Sequence, residues 1–186
     1  MKLPSASVLG AIVLSALAAG AITFVGACAG SPDGSRVTQV YSPDYPTFVG
    51  NPADPTVSGP SLFLERRCGT LDCHGQVGRP LRIFGQRGLR LVDDAGNIPG
   101  GNATTDDEHF ANFLAVIGVE PEITSVVVAE GGDGPERLLL LKKPLGLERH
   151  KGGQIMVATD DGYTCLTSWL AGATAFQACT NAAAVP

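Results

Sequence analysis

The segment Cys68-Gly69-Thr70-Leu71-Asp72-Cys73-His74-Gly75 carries the densest chemical signal in this 186-residue chain. It places two thiols and one imidazole close together, and His74 follows Cys73 directly. Two cysteines at such short spacing form a disulfide, bind a metal ion or react with a cofactor. The adjacent histidine favours a site that binds a metal or a cofactor.

A cysteine pair followed immediately by histidine is typical of covalent attachment of haem c (heme c). The thiols add across the haem vinyl groups, and the histidine binds the iron. The standard spacing is Cys-x-x-Cys-His, whereas four residues separate Cys68 from Cys73 here. The segment therefore predicts covalent haem c on Cys68 and Cys73, with His74 as an iron ligand.

Two other interpretations of the same segment stay open at this point. The first is a disulfide between Cys68 and Cys73, with His74 exposed to solvent. The second is a zinc site formed by both cysteines, His74 and the distant His150, although this spacing is not a standard one.

The N-terminal residues predict export of the chain. Residues 8–25 carry no charge, are rich in Ala and Gly, and follow a short positive start at Lys2. Val25-Gly26-Ala27-Cys28 resembles a bacterial lipobox, in which small residues precede a lipidated cysteine. We therefore expect residues 1–27 to be a lipoprotein signal peptide and Cys28 to be lipidated. An uncleaved membrane anchor is the alternative, and it also exports the rest of the chain.

Export determines how the five cysteines are interpreted, because disulfides and covalent haem attachment both belong to the oxidising side of the membrane. In the haem scheme Cys28 carries lipid, Cys68 and Cys73 carry haem, and Cys165 and Cys179 form a disulfide. In the competing scheme there is one lipid and there are two structural disulfides. Ala29, directly after the lipidated cysteine, favours the outer membrane, with the protein facing the periplasm.

Composition and charge limit the remaining possibilities. Without residues 1–27, the chain has 12 basic and 18 acidic side chains, a formal charge of −6, which argues against nucleic acid as a partner. Residues 29–59 contain five prolines and four glycines, so residues 28–59 are predicted to be a disordered tether. Tyr41, Tyr45 and Phe48 indicate that part of it contacts the domain. The domain itself is expected at residues 60–180, followed by a tail at 181–186.

The pattern of the domain predicts a mostly α fold with short extended segments. Thr105 to Glu108 is a capping box, and it opens a helix. Residues 126–128 are predicted as a strand, and His109 is expected on the polar surface of its helix. The remaining predictions are a helix at 62–67, extended pieces at 78–92, helices at 135–143 and 160–171, and an apolar helix face made of Phe110, Phe113, Leu114 and Ile117.

The order of these elements resembles a class I cytochrome c, and more closely the planctomycete-type cytochrome c domain. The similarity rests on Gly88-Leu89-Arg90-Leu91, on Pro135 to Leu139 and on Trp169-Leu170-Ala171-Gly172-Ala173. The Leu-Asp-Cys-His-Gly and His-Lys-Gly-Gly elements also resemble exported lipoproteins predicted in myxobacteria. The resemblance covers about residues 57–173. It implies a small helical domain around one haem.

The resemblance also implies a second iron ligand in a loop before the last helix. His150 lies 19 residues before Trp169, in His150-Lys151-Gly152-Gly153, where many relatives have Met-Pro-Pro. Met156 is the alternative ligand, because thioether ligation is common in cytochromes. Arg79 and Arg82 are candidates for binding the haem propionates, because guanidinium groups bind carboxylates bidentately.

Together these features predict a lipid-anchored monohaem c-type cytochrome that carries electrons to a redox partner protein. No catalytic arrangement of side chains is evident in the sequence, so we do not expect an enzyme. The alternative function is a haem-free envelope lipoprotein, stabilised by disulfides, that serves as a binding or structural module.

Overall fold

A computed structural model describes residues 39–54 and 56–184 of the chain. In this part of the chain the regular secondary structure is helical, which confirms the predicted mostly α class. The described residues form seven α-helices and one 3₁₀ turn: Tyr45–Val49 (α1), Pro60–Arg67 (α2), Asp106–Gly118 (α3), Pro121–Ala129 (α4), the turn Pro135–Arg137, Leu139–Lys142 (α5), Asp161–Leu170 (α6) and Phe176–Ala184 (α7).

The segment between α2 and α3 is irregular, although it was predicted to contain extended pieces. It holds one isolated bridge, between Phe84 and Leu89. The Asn112 side chain on α3 takes the place of a neighbouring strand here. Its Oδ1 accepts from the Phe84 amide at 2.6 Å, and its Nδ2 donates to the Phe84 carbonyl at 2.8 Å. A buried amide side chain therefore satisfies backbone groups that a sheet would otherwise pair.

Trp169 on α6 is the centre of the core. Its ring packs against Phe48 of α1, with ring centroids 5.1 Å apart, and against Phe113 of α3, at 6.3 Å. The indole Nε1 donates to the Asp44 carbonyl at 2.9 Å, so the polar atom of this buried side chain has a partner. Asp44 also caps α1, since its carboxylate accepts from the Thr47 amide at 2.9 Å.

The position of α1 corrects the predicted tether at residues 28–59. From Val40 onward the chain belongs to the same compact unit as the rest of the domain, and Phe48 is fully buried. Pro46 lies in the first turn of α1, where proline is compatible with a helix, so its presence did not indicate a linker. Residues 28–38 lie outside the described residues. At the other end, α7 extends through most of the predicted tail.

The capping box at the start of α3 is confirmed, but the predicted buried face is wrong in part. Phe113 is buried, whereas Phe110 and Leu114 are 49% and 47% exposed. The buried face follows Glu108 and Asn112, because both have polar partners inside the domain. Glu108 binds Arg90 in a bidentate ion pair with N–O distances of 2.8 Å.

Two other predicted elements differ in the structure. Residues 126–128 are not a strand, since they lie inside α4, which begins with Pro121 in its first turn. The predicted helix at 135–143 is broken at Leu138, whose backbone is extended (φ −80°, ψ 136°). The 3₁₀ turn and α5 occupy its two halves. Short apolar runs do not distinguish helix from strand by periodicity, and that ambiguity applied here.

The disulfide between Cys165 and Cys179 is confirmed. It joins α6 to α7, with the two Cα atoms 4.7 Å apart and both residues fully buried. Among the described residues, no individual helix has the length and apolar composition needed to cross a membrane. The pair α3 and α4 meets that test only together, with a bend of 88° between them. The predicted signal peptide and Cys28 lie outside the described residues.

Candidate functional site

The turn after α2 brings Cys68 and His74 together through backbone hydrogen bonds. The Cys68 amide closes the end of α2 by donating to the Leu64 carbonyl at 2.8 Å. Farther along, the Cys73 amide donates to the Thr70 carbonyl at 2.9 Å, and the His74 amide donates to the Cys68 carbonyl at 2.8 Å. The thiols and the imidazole therefore belong to one closed turn.

Three glycines pack this turn against the segment that follows it. A Cβ on Gly75 would lie 2.0 Å from the Gly69 carbonyl oxygen and 2.9 Å from the Gly88 Cα. A Cβ on Gly88 would also lie 2.0 Å from the Gly69 carbonyl oxygen. Only glycine allows backbone segments to approach so closely. These contacts fix the turn at the sequence positions of the predicted haem site.

The His74 ring is oriented by a backbone carbonyl. Its Nδ1 lies 2.9 Å from the Leu81 oxygen, which can only accept, so Nδ1 carries the proton and Nε2 is the unprotonated nitrogen of the neutral ring. Burial lowers the pKa of His74, and the nearby His150 and Arg79 lower it further, against the opposing effect of the Leu81 hydrogen bond. His74 is therefore neutral at pH 7, which is the form that binds a metal.

His150 has the same arrangement in a different loop. Its Nδ1 donates to the Gly153 carbonyl at 2.8 Å, and the Gly153 amide donates back to the His150 carbonyl at 3.0 Å. Gly153 has a φ of +74°, a conformation that other residues rarely adopt. The loop thus holds the ring by its Nδ1 edge and leaves Nε2 as the nitrogen available for coordination.

The fold places the His74 and His150 rings opposite each other. Their centroids are 6.2 Å apart and their planes differ by 16°. The rings are therefore close and nearly parallel, and in each of them Nδ1 is bound to a backbone carbonyl while Nε2 is the other ring nitrogen. The two residues are distant in the sequence, and tertiary structure alone brings them together.

Met156, the alternative second ligand, has a different environment. It is only 4% exposed and belongs to the hydrophobic core cluster. The amides of Ile155 and Met156 both donate to the Pro144 carbonyl, which holds this segment against the end of α5. The packing of Met156 is that of an ordinary core methionine.

Cys68 and Cys73 are free, half-buried thiols, so the structure does not form the disulfide of the alternative interpretation. Burial, together with the proximity of Cys73, raises the pKa of Cys68 to about 12, and Arg67 opposes both effects. No cluster of three or more His, Cys, Asp or Glu side chains suited to a metal occurs among the described residues.

Arg79 and Arg82, the candidates for binding propionates, differ in their surroundings. Arg79 is half-buried, and its Nε donates to the Cys73 carbonyl at 3.1 Å, so it helps to hold the cysteine turn. Arg82 is exposed. Sequence reasoning did not identify Leu81 and Gly153 as the carbonyls that orient the two histidines. The glycine pair Gly152-Gly153, close to His150 in the sequence, could have indicated the role of Gly153. No feature of the sequence indicated the role of Leu81.

His109 is wrongly predicted as a surface residue. Its side chain is 13% exposed, and its Nδ1 lies 2.8 Å from the Ser61 Oγ and 3.3 Å from the Glu65 Oε1. Ser61 and Glu65 lie four residues apart on α2, and the Ser61 hydroxyl donates to Glu65 at 3.0 Å. Serine and carboxylate therefore meet the same ring nitrogen. In a serine–histidine–carboxylate catalytic triad, the serine and the carboxylate contact opposite nitrogens of the ring. This cluster therefore does not have the geometry of a catalytic triad.

The chain was compared with protein-family models, with curated proteins and with solved structures, and no match was found in any of the three. The described residues form a mostly helical domain with the Cys165–Cys179 disulfide and with two nearby imidazoles whose Nδ1 atoms are both bound to backbone carbonyls.

Proposed function

We propose that this protein is an exported monohaem c-type cytochrome that carries electrons. The observation that carries this proposal is the close approach of His74 and His150 from two distant loops, with ring centroids 6.2 Å apart. In the proposed site, Cys68 and Cys73 would hold the haem through thioether bonds, and the two histidines would bind its iron.

The electrostatics of the two rings agree with this role. Each Nδ1 is bound to a backbone carbonyl, an arrangement that fixes the orientation of metal-binding histidines and raises their basicity. The lowered pKa of His74 keeps its ring neutral and ready to coordinate. Both thiols are free, as vinyl addition requires, and the described residues hold no cluster of three or more side chains suited to zinc.

Exposed apolar side chains in the two loops provide separate support. Leu71 lies between the two cysteines and is 63% exposed, Val77 follows His74 and is 74% exposed, and Leu147 precedes His150 and is 67% exposed. In the proposed site these three side chains would contact an apolar ligand. A haem macrocycle is such a ligand.

When bound, the haem iron alternates between the ferric and ferrous states and supplies all the redox chemistry. The chain determines the potential through ligand identity, burial and hydrogen bonds to the ligands. Two imidazoles favour ferric iron more than an imidazole and a thioether do, so the potential is expected to lie below that of a His/Met cytochrome. Arg79, beside Cys73, is placed to offset propionate charge.

The cellular setting is part of the same proposal. It rests on the N-terminal sequence, in which residues 1–27 are the signal peptide and Cys28 is the lipid anchor in the bacterial outer membrane, facing the periplasm. The redox partner is another protein of the cell envelope. The alternative is a haem-free envelope module, with which the Cys165–Cys179 disulfide is equally compatible.

Expression in a host with a periplasmic haem-ligation system tests the cofactor. The purified protein should be heavier by one haem, and pyridine haemochrome absorbance should report haem c. Changing Cys68→Ala together with Cys73→Ala should abolish both signals, whereas the control His109→Gln should keep them. Haem-free wild-type protein under these conditions would contradict the proposal and favour the module.

A second experiment tests the axial ligands. His150→Ala should convert the ferric iron from low-spin to high-spin, because it removes one of two strong-field imidazoles. Met156→Leu is the matched control and should leave the spectrum nearly unchanged. The wild-type ferric protein should also lack the weak near-infrared band of methionine–iron ligation. The reverse outcome would assign the second ligand to Met156.

A further inference from the structure

A cavity of about 300 Å³ lies apart from the two facing histidines. None of the residues Cys68, Cys73, His74 and His150 lines it. One water molecule needs about 10–15 Å³ measured in the same way, so the cavity has room for a small organic molecule. Its polar wall contains Asn51, Ser58, Glu65, Arg66, Gln86, Arg87, Thr104 and His109, and its apolar wall contains Val49, Pro52, Leu62 and Ala103.

The protonation of His109 follows from its hydrogen bonds. The single hydroxyl proton of Ser61 goes to Glu65, so the 2.8 Å contact between Ser61 and His109 needs the proton of Nδ1. In the neutral ring, Nε2 is therefore an acceptor. Among the described residues, Nε2 has no hydrogen-bond partner. Because His109 lines the cavity, we assign this acceptor to a ligand hydroxyl.

The carboxylate in the cavity wall is already satisfied. Glu65 accepts from Ser61 at 3.0 Å and from Thr104 at 2.5 Å, and it also faces His109. Because all of these partners belong to the domain, we do not assign Glu65 as a binding site for a cation. The carboxylate instead fixes the His109 ring in position.

The arginines give the cavity a positive character. Arg87 forms no hydrogen bond or ion pair with any other described residue. Arg66 uses Nη1 for the Ala183 carbonyl, at 3.3 Å, and keeps its other N–H groups. A guanidinium fork without a partner, at the wall of a cavity, binds a carboxylate with paired hydrogen bonds. An amide or a simple alcohol does not offer that charge.

We propose that this cavity binds a small hydroxycarboxylic acid. The carboxylate contacts Arg87, the hydroxyl donates to the Nε2 of His109, and the short carbon chain lies against Val49 and Leu62. This site is independent of the proposed haem, because it uses none of the same side chains. It gives the protein a second ligand whose binding does not require electron transfer.

Three ligands of nearly equal size test the chemistry: lactate, propionate and lactamide. NMR titration of the purified protein, followed at the His109 ring resonances, should show that lactate binds most tightly. Lactamide lacks the carboxylate and should bind at least about tenfold more weakly, since a hydrogen bond to a charged group is worth that factor or more. Propionate lacks the hydroxyl and should bind several-fold more weakly, with a smaller shift at His109.

Substitutions in the protein test the same contacts as the changes in the ligand. Arg87→Ala should weaken lactate binding at least about tenfold. The control Arg149→Ala removes an exposed arginine outside the cavity lining and should leave binding unchanged. Because Arg87 is exposed, its replacement should not affect folding, which the unfolding temperature checks. Equal affinity for lactate and lactamide, an unaffected Arg87→Ala variant, or no shift at His109 would each overturn the proposal.

Discussion

Cys165 and Cys179 are joined by a disulfide between two packed helices, whereas Cys68 and Cys73 lie in the turn after α2 as free thiols. The first pair is fully buried and belongs to the hydrophobic core. The second pair is half-buried and is flanked by an exposed leucine. Both pairs are short-range in sequence, with 14 and 5 residues of separation.

The difference shows how the domain divides stability and chemistry between two regions. Around Cys165 and Cys179, helix packing brings the Cα atoms to 4.7 Å, and the covalent bond reinforces contacts that already exist. Around Cys68 and Cys73, backbone hydrogen bonds and close glycine contacts determine the shape of the turn. The thiols of that turn are thus not needed as a cross-link and stay available for reaction with a ligand.

The strongest test of this division removes each cysteine pair in turn. Cys165→Ala with Cys179→Ala should lower the free energy of unfolding by about 3 kcal/mol, the loop-entropy expectation for a cross-link that closes a loop of roughly 15 residues. In haem-free protein, Cys68→Ala with Cys73→Ala should lower it by less than about 1 kcal/mol, since no bond is lost. Denaturant unfolding measures both values. Equal losses of unfolding free energy in the two variants would show that the two cysteine pairs do not differ in their contribution to stability.

A smaller effect is expected from the glycine contacts that shape the cysteine turn. Gly75→Ala should destabilise the protein by about 1–3 kcal/mol, because the new Cβ meets a carbonyl oxygen that cannot move without shifting the backbone. It should also reduce haem incorporation, since the thiols and His74 would be displaced.

Gly101→Ala is the matched control for this substitution. A Cβ at Gly101 has no atom within 4 Å and φ lies outside the left-handed region, so stability should change by less than about 0.5 kcal/mol. Normal haem incorporation in the Gly75→Ala variant would show that close glycine packing does not hold the turn.

The smallest expected effect is the pH dependence of the free energy of unfolding. It depends on His74, which lies in the cysteine turn and not beside the disulfide. The folded-state pKa of His74 is lowered from 6.5, mainly by burial. The unfolded chain therefore takes up this proton first, and the free energy of unfolding of haem-free protein should fall as pH drops below about 6.5. The free energy of unfolding should change by less than about 1.4 kcal/mol per pH unit, which is the limit for one proton, and by much less for a half-buried ring.

His74→Gln should flatten this dependence between about pH 7 and pH 5. Glu108 and Asp93 also have lowered pKa values, but they titrate below their ordinary values of 4.5 and 3.8 and so act in a more acidic range. The disulfide variant should keep the full slope between pH 7 and pH 5. An unchanged slope after His74→Gln would mean that His74 does not titrate differently in the two states.

Local signals in the sequence predicted part of this structure correctly. The capping box at Thr105 and Glu108, the helix after Asp160 and the Cys165–Cys179 disulfide all depend on neighbouring residues or on cysteine counting, and all are present. The mostly α class follows from the same short-range patterns. Such features need little knowledge of how the chain folds back on itself.

Features that depend on distant partners were missed. Residues 43–49 resemble a linker because of their prolines, and only the contact of Asp44 with Trp169 shows that they belong to the core. His109 lies on a polar helix face, but Ser61 and Glu65 approach that face from α2. Phe110 and Leu114 match helical spacing, yet the buried face follows Glu108, whose partner Arg90 lies outside the helix.

The bond between Trp169 and Asp44 also has a consequence for the order of folding. It spans 125 positions of the chain, and α7 packs on α2 over a comparable separation. Contacts of such long range form late, because closing a long loop is costly before other contacts compensate for it. The hydrogen bonds between residues 64 and 75 are local. The cysteine turn is therefore expected to be shaped early, while the core around Trp169 is still open.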